Sequence, residues 1–338
     1  MSDSVGTFRG FRVHYVDKRI EARFEDLTLD DLTPGEVVIR VQWSDINYKD
    51  ALAATGAGRI LRKYPLVAGI DLAGVVVSST DARYHAGDAV LVTGCDLSET
   101  LDGGYAEYAR VPAEAVVALP PGLTLRETMQ IGTAGFTAAL AIHRMEQNGQ
   151  TPAAGPIAVN GATGGVGSLA INLLAGRGYE VWAISGKPEA DEYLLGIGAT
   201  KVLRRQDMDT GGGPLLKTVL GGGIDNLGGA QLSWMTRATS YGGNVASIGL
   251  AASADLQTSV MPFILRGVNL LGINSVLTPR ALRLKVWERL ATDLRPRHLE
   301  AICPREVAFA DLAAAFQPYV DGKVLGRAVV KIQESSHA

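Results

Sequence analysis

The chain has 338 residues, 47% of them hydrophobic and 20% charged, with a formal net charge of -3. That length supports a large buried core split between two domains, and the weak charge excludes the field that gathers nucleic acid or an anionic membrane surface. Small molecules are therefore the expected partners. The first ten residues, MSDSVGTFRG, lack an apolar signal core, and no apolar run is long enough to span a bilayer, so a cytoplasmic location is expected. Cys95 and Cys303 stand alone in this setting and read as buried thiols, not as a disulfide.

In chain order, the first part reads as short strands cut by turns: EVVIRVQWS from Glu36, AGVVVSS from Ala73, DAVLVTG from Asp88 and YAEYARV from Tyr105. Near residue 125 the pattern changes. A helical stretch, RETMQIGTAGFTAALAIHRM from Arg126, is followed by helices alternating with the apolar runs IAV (157–159), EVWAI (180–184), KVL (201–203), NVASIGL (244–250) and LLGINSV (270–276). Such alternation implies a doubly wound parallel sheet, so the fold class is α/β with a second, β-rich domain. The glycine clusters at 211–213 and 221–223 read as loops. Two helices, ALRLKVWERLATDL and DLAAAFQPYVDG, and a last strand, GRAVVKI, close the chain. The domains are expected at 1–125, 126–272 and 273–338, the last returning to the first.

The segment Ile157–Gly167, IAVNGATGGVG, joins a strand to a helix through glycines at 161, 164 and 167, and a second strand follows at the βαβ distance. Glycine allows the sharp turn and the close approach of backbone N–H groups to a pyrophosphate, and the helix N-terminus attracts its charge. At the end of the second strand, where a site for NAD places an acid on the ribose hydroxyls, this chain has Ser185, Gly186 and Lys187. A hydroxyl and an ammonium suit a 2′-phosphate, so NADPH is the expected cofactor.

The glycine fingerprint in mid-chain behind a β-rich domain resembles the medium-chain dehydrogenase/reductase superfamily, a GroES-like catalytic domain joined to a Rossmann domain. The phrases NYKDALAATGAGRILRKYPLVAGIDLAG (47–74), GTAGFTAAL (132–140), GATGGVGS (161–168), MPFILRGVNLLGINSV (261–276) and WERLATDL (287–294) resemble its zinc-independent, quinone-oxidoreductase-like branch, and within that the acryloyl-CoA reductases. The resemblance implies reduction of a C=C bond by NADPH without a metal, in a homodimer. Zinc members carry a cysteine ligand where this chain has Asn47-Tyr48 and Gly-His-Glu where it has Gly69-Ile70-Asp71, and the five histidines and two cysteines show no ligand spacing, so no metal is expected.

Hydride delivered to Cβ of an enoyl thioester leaves negative charge on the carbonyl oxygen, which calls for a hydrogen-bond donor and one proton. By resemblance Tyr48 is the candidate donor and also a cofactor contact, with Asn47 beside it as an orienting residue or a turn residue. Asp71 reads as a structural acceptor. The matched motifs place Thr163, Gly164, Gly165 and Val166 at the pyrophosphate, Ser185, Gly186 and Lys187 at the 2′-phosphate with Arg205 nearby, and Leu250, Ile264 and Ser275 at the nicotinamide half. Arg59, Arg62 and Lys63 are candidates for the phosphates of a CoA moiety. The chain departs from the family at 93–107, TGCDLSETLDGGYAE in place of TGWGVGENHWGGYAE, where both tryptophans and the histidine are missing. If that loop lines the acyl pocket, a longer acyl chain, a free enone or a quinone fits the same scaffold. A nucleotide-binding protein without catalysis is the other class open at this point. The run LLGINSV is expected at a sheet edge, where a second copy would pair.

Overall fold

The structure, a computed structural model, describes residues 5–208 and 211–333. It separates into two compact units: the described parts of 1–133, 276–284 and 303–338 form the first, and those of 134–275 and 285–302 the second. This differs from a clean return at 273. Residues 285–302 belong with the second unit, where Trp287 is wholly buried and stacks on Phe136 with ring centroids 6.3 Å apart.

In chain order the strands are β1 (Phe8–Val16), β2 (Arg19–Leu27), β3 (Val37–Asp45), β4 (Leu66–Val67), β5 (Asp71–Ser79), β6 (Ala89–Thr93), β7 (Tyr108–Val111), β8 (Val117–Ala118), β9 (Ile157–Val159), β10 (Val181–Ile184), β11 (Lys201–Leu203), β12 (Leu220–Asp225), β13 (Thr239–Ser247), β14 (Asn269–Gly272), β15 (Arg305–Ala308) and β16 (Ala328–Lys331). The helices are α1 (Tyr48–Thr55), α2 (Leu125–Gln147), α3 (Gly165–Gly176), α4 (Asp191–Gly196), α5 (Gly229–Ala238), α6 (Met261–Arg266), α7 (Arg280–Ala291), α8 (Leu299–Ile302), α9 (Leu312–Ala315) and α10 (Gln317–Val320). None of them is long and apolar enough to cross a membrane.

The first unit holds two sheets, one ordered β2-β1-β4 and the other β15-β16-β3-β5-β6-β8 with β7 paired to β3. Alternate apolar residues of these strands point into one core, where Phe24 meets Phe11 and Phe309 edge-on. The hairpin β1-β2 closes at Asp17-Lys18, both at positive φ (49° and 65°), the twist a two-residue hairpin needs.

The second unit is a six-stranded parallel sheet ordered β11-β10-β9-β12-β13-β14, the doubly wound order of a dinucleotide-binding domain. One expectation fails here. The glycines at 221–223 are not a loop but the middle of β12, between β9 and β13. A β-carbon at 222 would stand 2.4 Å from the Asn244 carbonyl and one at 221 2.5 Å from the Gly155 carbonyl, so neighbouring backbone takes the room a side chain would need. β14 is one of the sheet's two edge strands, β11 the other.

α2 is two helical pieces joined at Gly132, whose φ of 51° and ψ of -164° only glycine adopts without strain.

Candidate active site and cofactor cradle

In the first unit, β3 ends at Asp45 and the chain turns at Asn47 into α1, so Tyr48 is the first helical residue and not part of a loop. Asn47 is the N-cap: its N–H donates to the Asp50 carboxylate at 2.8 Å, and the Ile70 N–H donates to the other oxygen of Asp50 at 3.0 Å. The Asn47 side chain turns inward. Its Nδ2 donates to Asp45 Oδ1 at 2.6 Å and to Asp71 Oδ2 at 2.9 Å.

Asp71 also accepts the N–H groups of Thr133 (2.7 Å) and Gly94 (3.1 Å) and the Thr133 hydroxyl, which makes it an acceptor held in place from three sides. Arg327, 2% exposed, donates through Nη2 to Asp45 at 2.5 Å and through Nε to the Gln130 carbonyl at 2.7 Å. Three buried carboxylates, Asp45, Asp50 and Asp71, thus lie together, with the buried Arg327 guanidinium paired to Asp45. Burial, and then the charge of Asp71, hold the Asp45 carboxyl well above the usual range despite Arg327. Burial pushes Asp50 up to about 7, against the pull of the Asn47 N–H.

The Tyr48 ring is half exposed, and among the described residues its hydroxyl has no hydrogen-bond partner. Lys49, the next residue, pairs with Glu99, which also lies 3.7 Å from Arg62. Arg59, Arg62 and Lys63 follow α1 as exposed residues.

The loop at 94–102 is a wound turn. Cys95, Asp96 and Ser98 have φ of 51°, 65° and 60°, Leu97 and Ser98 are buried, and Asp102 accepts the N–H groups of Thr33 and Val67, both at 2.7 Å. Cys95 is half-buried, not buried as expected, lying at the rim of the core it packs against, while Cys303 is fully buried and its thiol is pushed up to about 11 by that burial.

In the second unit, β9 leads through Asn160 into the turn 161–164. Gly164 caps α3, its N–H donating to the Gly161 carbonyl at 2.9 Å. A β-carbon at Gly167 would stand 2.3 Å from that carbonyl, so the third glycine lets the helix lie against the turn. Thr163, Gly164, Gly165 and Val166 are partly or fully exposed at the helix N-terminus, where unpaired N–H groups and the helix dipole favour an anion.

Beyond β10, Ser185 Oγ accepts the Lys187 N–H at 3.1 Å, and the Arg205 side chain lies 3.7 Å from where a Gly186 β-carbon would be. The sequence reading missed Arg204. Its guanidinium pairs with Asp191 and donates to the Ser185 carbonyl at 3.5 Å, anchoring the turn from below. Only its place beside Arg205 hinted at this.

Leu250 and Ile264 are 68% and 72% exposed, hence not core residues, and Ser275 is half-buried after β14.

These two assemblies, a GroES-like unit with a polar cluster behind an exposed tyrosine and a Rossmann unit with a glycine cradle, define a dehydrogenase/reductase. Residues 33–121 match the alcohol dehydrogenase GroES-like domain and residues 165–291 the zinc-binding dehydrogenase domain. The chain belongs to the medium-chain dehydrogenase/reductase superfamily and is an oxidoreductase. It is 45% identical over 328 residues to the acrylyl-CoA reductase AcuI of Ruegeria pomeroyi, covering 95% of this chain and 99% of that protein. It is 45% identical over 314 residues to the putative quinone oxidoreductase YhfP of Bacillus subtilis (93% of this chain, 95% of the relative), whose structure with NAD bound superposes with a TM-score of 0.94 over 97% of this chain and all of that one, at 43% identity. The yhdH oxidoreductase of Salmonella enterica in complex with NADP matches with a TM-score of 0.93 and 42% identity, covering 96% of this chain and all of that chain.

The zinc implied by the second domain's description does not fit these residues. Asn47 Nδ2 is committed as a donor to two carboxylates, Ile70 is apolar and buried, and among the described residues no three His, Cys, Asp or Glu side chains are arranged to hold a metal ion.

Proposed function

We propose that this protein reduces the activated C=C bond of a 2-enoyl-CoA or related enoyl thioester with NADPH. The observation that carries this is the end of β10, where Ser185, Lys187 and Arg205 gather around Gly186 and no acid stands in their place. Donors and cations there suit a 2′-phosphate. The relatives support the reading: the Salmonella enzyme holds NADP and the Ruegeria relative is an acrylyl-CoA reductase. The NAD in YhfP makes the ratio of affinities, and not binding alone, the quantity to measure.

Bound NADPH supplies the hydride for Cβ. Thr163, Gly164, Gly165 and Val166 hold the pyrophosphate through main-chain N–H groups, and Leu250, Ile264 and Ser275 cover the nicotinamide half. Tyr48 contacts the cofactor and donates its free O–H to the carbonyl oxygen on which charge develops. Asn47, fixed by Asp45 and Asp71, orients the start of α1 and with it Tyr48. The exposed Arg59, Arg62 and Lys63 take the CoA phosphates, Arg62 being steered by Glu99.

The turn at 95–102 lacks the aromatic volume of its relatives, which suits an acyl chain longer than acryloyl. A steady-state series over acyl length, with simple enones and quinones alongside, tests this. A rise in kcat/KM from acryloyl to longer 2-enoyl thioesters supports it, and turnover of quinones alone replaces it with a quinone reductase. A second copy of the chain pairs at the β14 edge in this reading, so light scattering at micromolar concentration should give a dimer.

A further inference from the structure

Behind the pyrophosphate turn lies a buried polar pair to which the reading above gives no role. Asn160 follows β9, and Asp225 ends the adjacent parallel strand β12. Both side chains are completely buried. Asn160 Nδ2 donates to Asp225 Oδ1 at 2.5 Å, and the Gly228 N–H donates to the same carboxylate at 3.0 and 3.1 Å. In the other direction, the Asn226 N–H donates to Asn160 Oδ1 at 2.6 Å, and Asn226 Nδ2 donates to the main-chain carbonyl of Asn160 at 2.7 Å.

That carbonyl belongs to the peptide that opens the glycine turn, and its orientation sets the direction of the Gly161 N–H on the same plane. Gly161 itself sits at φ 57°, with the Asn226 side chain against it: a β-carbon there would be 3.1 Å from Asn226 Cβ. The first peptide of the cradle is therefore clamped by Asn226, the residue after β12, and not by its own strand. A polar pair wholly withdrawn from water costs desolvation that two apolar side chains would not, and burial does raise the Asp225 carboxyl. What the pair supplies in return is a single allowed arrangement of donors and acceptors, which an apolar pair leaves open.

We infer that Asn160 and Asp225 are positioning residues for the dinucleotide, a complementary donor–acceptor pair that holds the 161–164 turn in its binding conformation before the cofactor arrives. The inference rests on the dinucleotide reading above. A turn ordered in advance does not charge its ordering entropy to binding, so loosening it lowers affinity without touching any group that meets the ligand.

The pair's complementarity gives the test. Asp225→Asn sets an amide N–H against either the Asn160 amide or, turned over, the Gly228 N–H, and Asn160→Asp sets two carboxylates together. The reciprocal double variant N160D/D225N restores one donor facing one acceptor and keeps an acceptor for the Asn226 and Gly228 N–H groups. NADPH affinity, read by fluorescence titration without substrate, should weaken about tenfold or more in each single variant and return to within about threefold in the double. If the single variants do not fold, Asn226→Ala, which frees only the Asn160 carbonyl at a half-buried position, should raise Kd with an unchanged thermal midpoint. Single variants that bind as tightly as the unaltered protein, or a double that loses as much as the two singles combined, would overturn the inference. No NADPH binding by the unaltered protein would overturn the dinucleotide reading itself.

Discussion

Gly132 lies so close to Asp45 that any β-carbon at 132 would stand 2.0 Å from the Asp45 carboxylate. The kink in α2 and the buried carboxylate cluster thus require the same residue. Gly132→Ala adds strain at a glycine-only conformation, about 1–3 kcal/mol, to a clash with a carboxylate that cannot move without breaking its bond to Arg327. Its Tm should fall by roughly 6 °C or more, if the variant is soluble at all. An unchanged melt would mean that the cluster yields.

Ser98 presents the opposite case. It sits at φ 60°, where the related phrase has glycine, and among the described residues its buried hydroxyl has no partner. Ser98→Gly removes both costs and adds the chain entropy of one glycine, for a net gain of about 1 kcal/mol. Thermal melts should show a rise of a few degrees, and a fall would show that the hydroxyl has a use.

Tyr48→Phe keeps the ring and removes the donor. Because the side chain is half exposed and its hydroxyl unpaired, the fold should be unaffected, while kcat falls on the order of ten- to a thousandfold. Steady-state kinetics decide the role: normal kcat with weakened NADPH would make Tyr48 a cofactor contact only.

If Lys187 holds the 2′-phosphate as proposed, Lys187→Ala deletes one charge-assisted contact, worth roughly ten- to a hundredfold in affinity for a phosphate ligand. Fluorescence titrations should show NADPH weakened by that factor and NADH hardly at all. Equal loss for both cofactors would remove Lys187 from the 2′-phosphate.

Asp50 sets a pH dependence. Its carboxyl titrates near 7 in the folded chain and near 4 when unfolded, so the folded state binds the extra proton between those values. Stability from this group is full below about 4 and declines as pH rises to about 7, on the order of a few kcal/mol in all. Asp45, shifted the same way, adds to the trend. Asp50→Asn cannot ionise, so relative to the unaltered protein it should gain stability from pH 5 to pH 8 in denaturant titrations. A constant difference across that range would contradict the assignment.

Much of this was legible along the chain. The strand, turn and helix of Ile157–Gly176 are set by local spacing, and the missing acid at 185–187 is visible without coordinates. What could not be read are contacts closed over long separations. Asp45 and Arg327 are 282 positions apart, so nothing nearby marks either as half of an ion pair. Asn47 reads equally as an orienting or a turn residue along the chain, because Asp71, one of the two groups that fix its amide, arrives from β5, 24 positions away. The hairpin at Asp17-Lys18 went unread because its two left-handed residues lack the usual Asn-Gly signature.

The glycines of β12 reverse the ordinary map of tolerance. In most chains a run of three glycines marks the place to insert a tag or accept a substitution. Here it fills the centre of a sheet, held by main-chain hydrogen bonds with no side chains of its own to bury. A saturation scan of this protein should therefore find 221–223 among its least forgiving positions, and the amides there among the slowest to exchange with solvent.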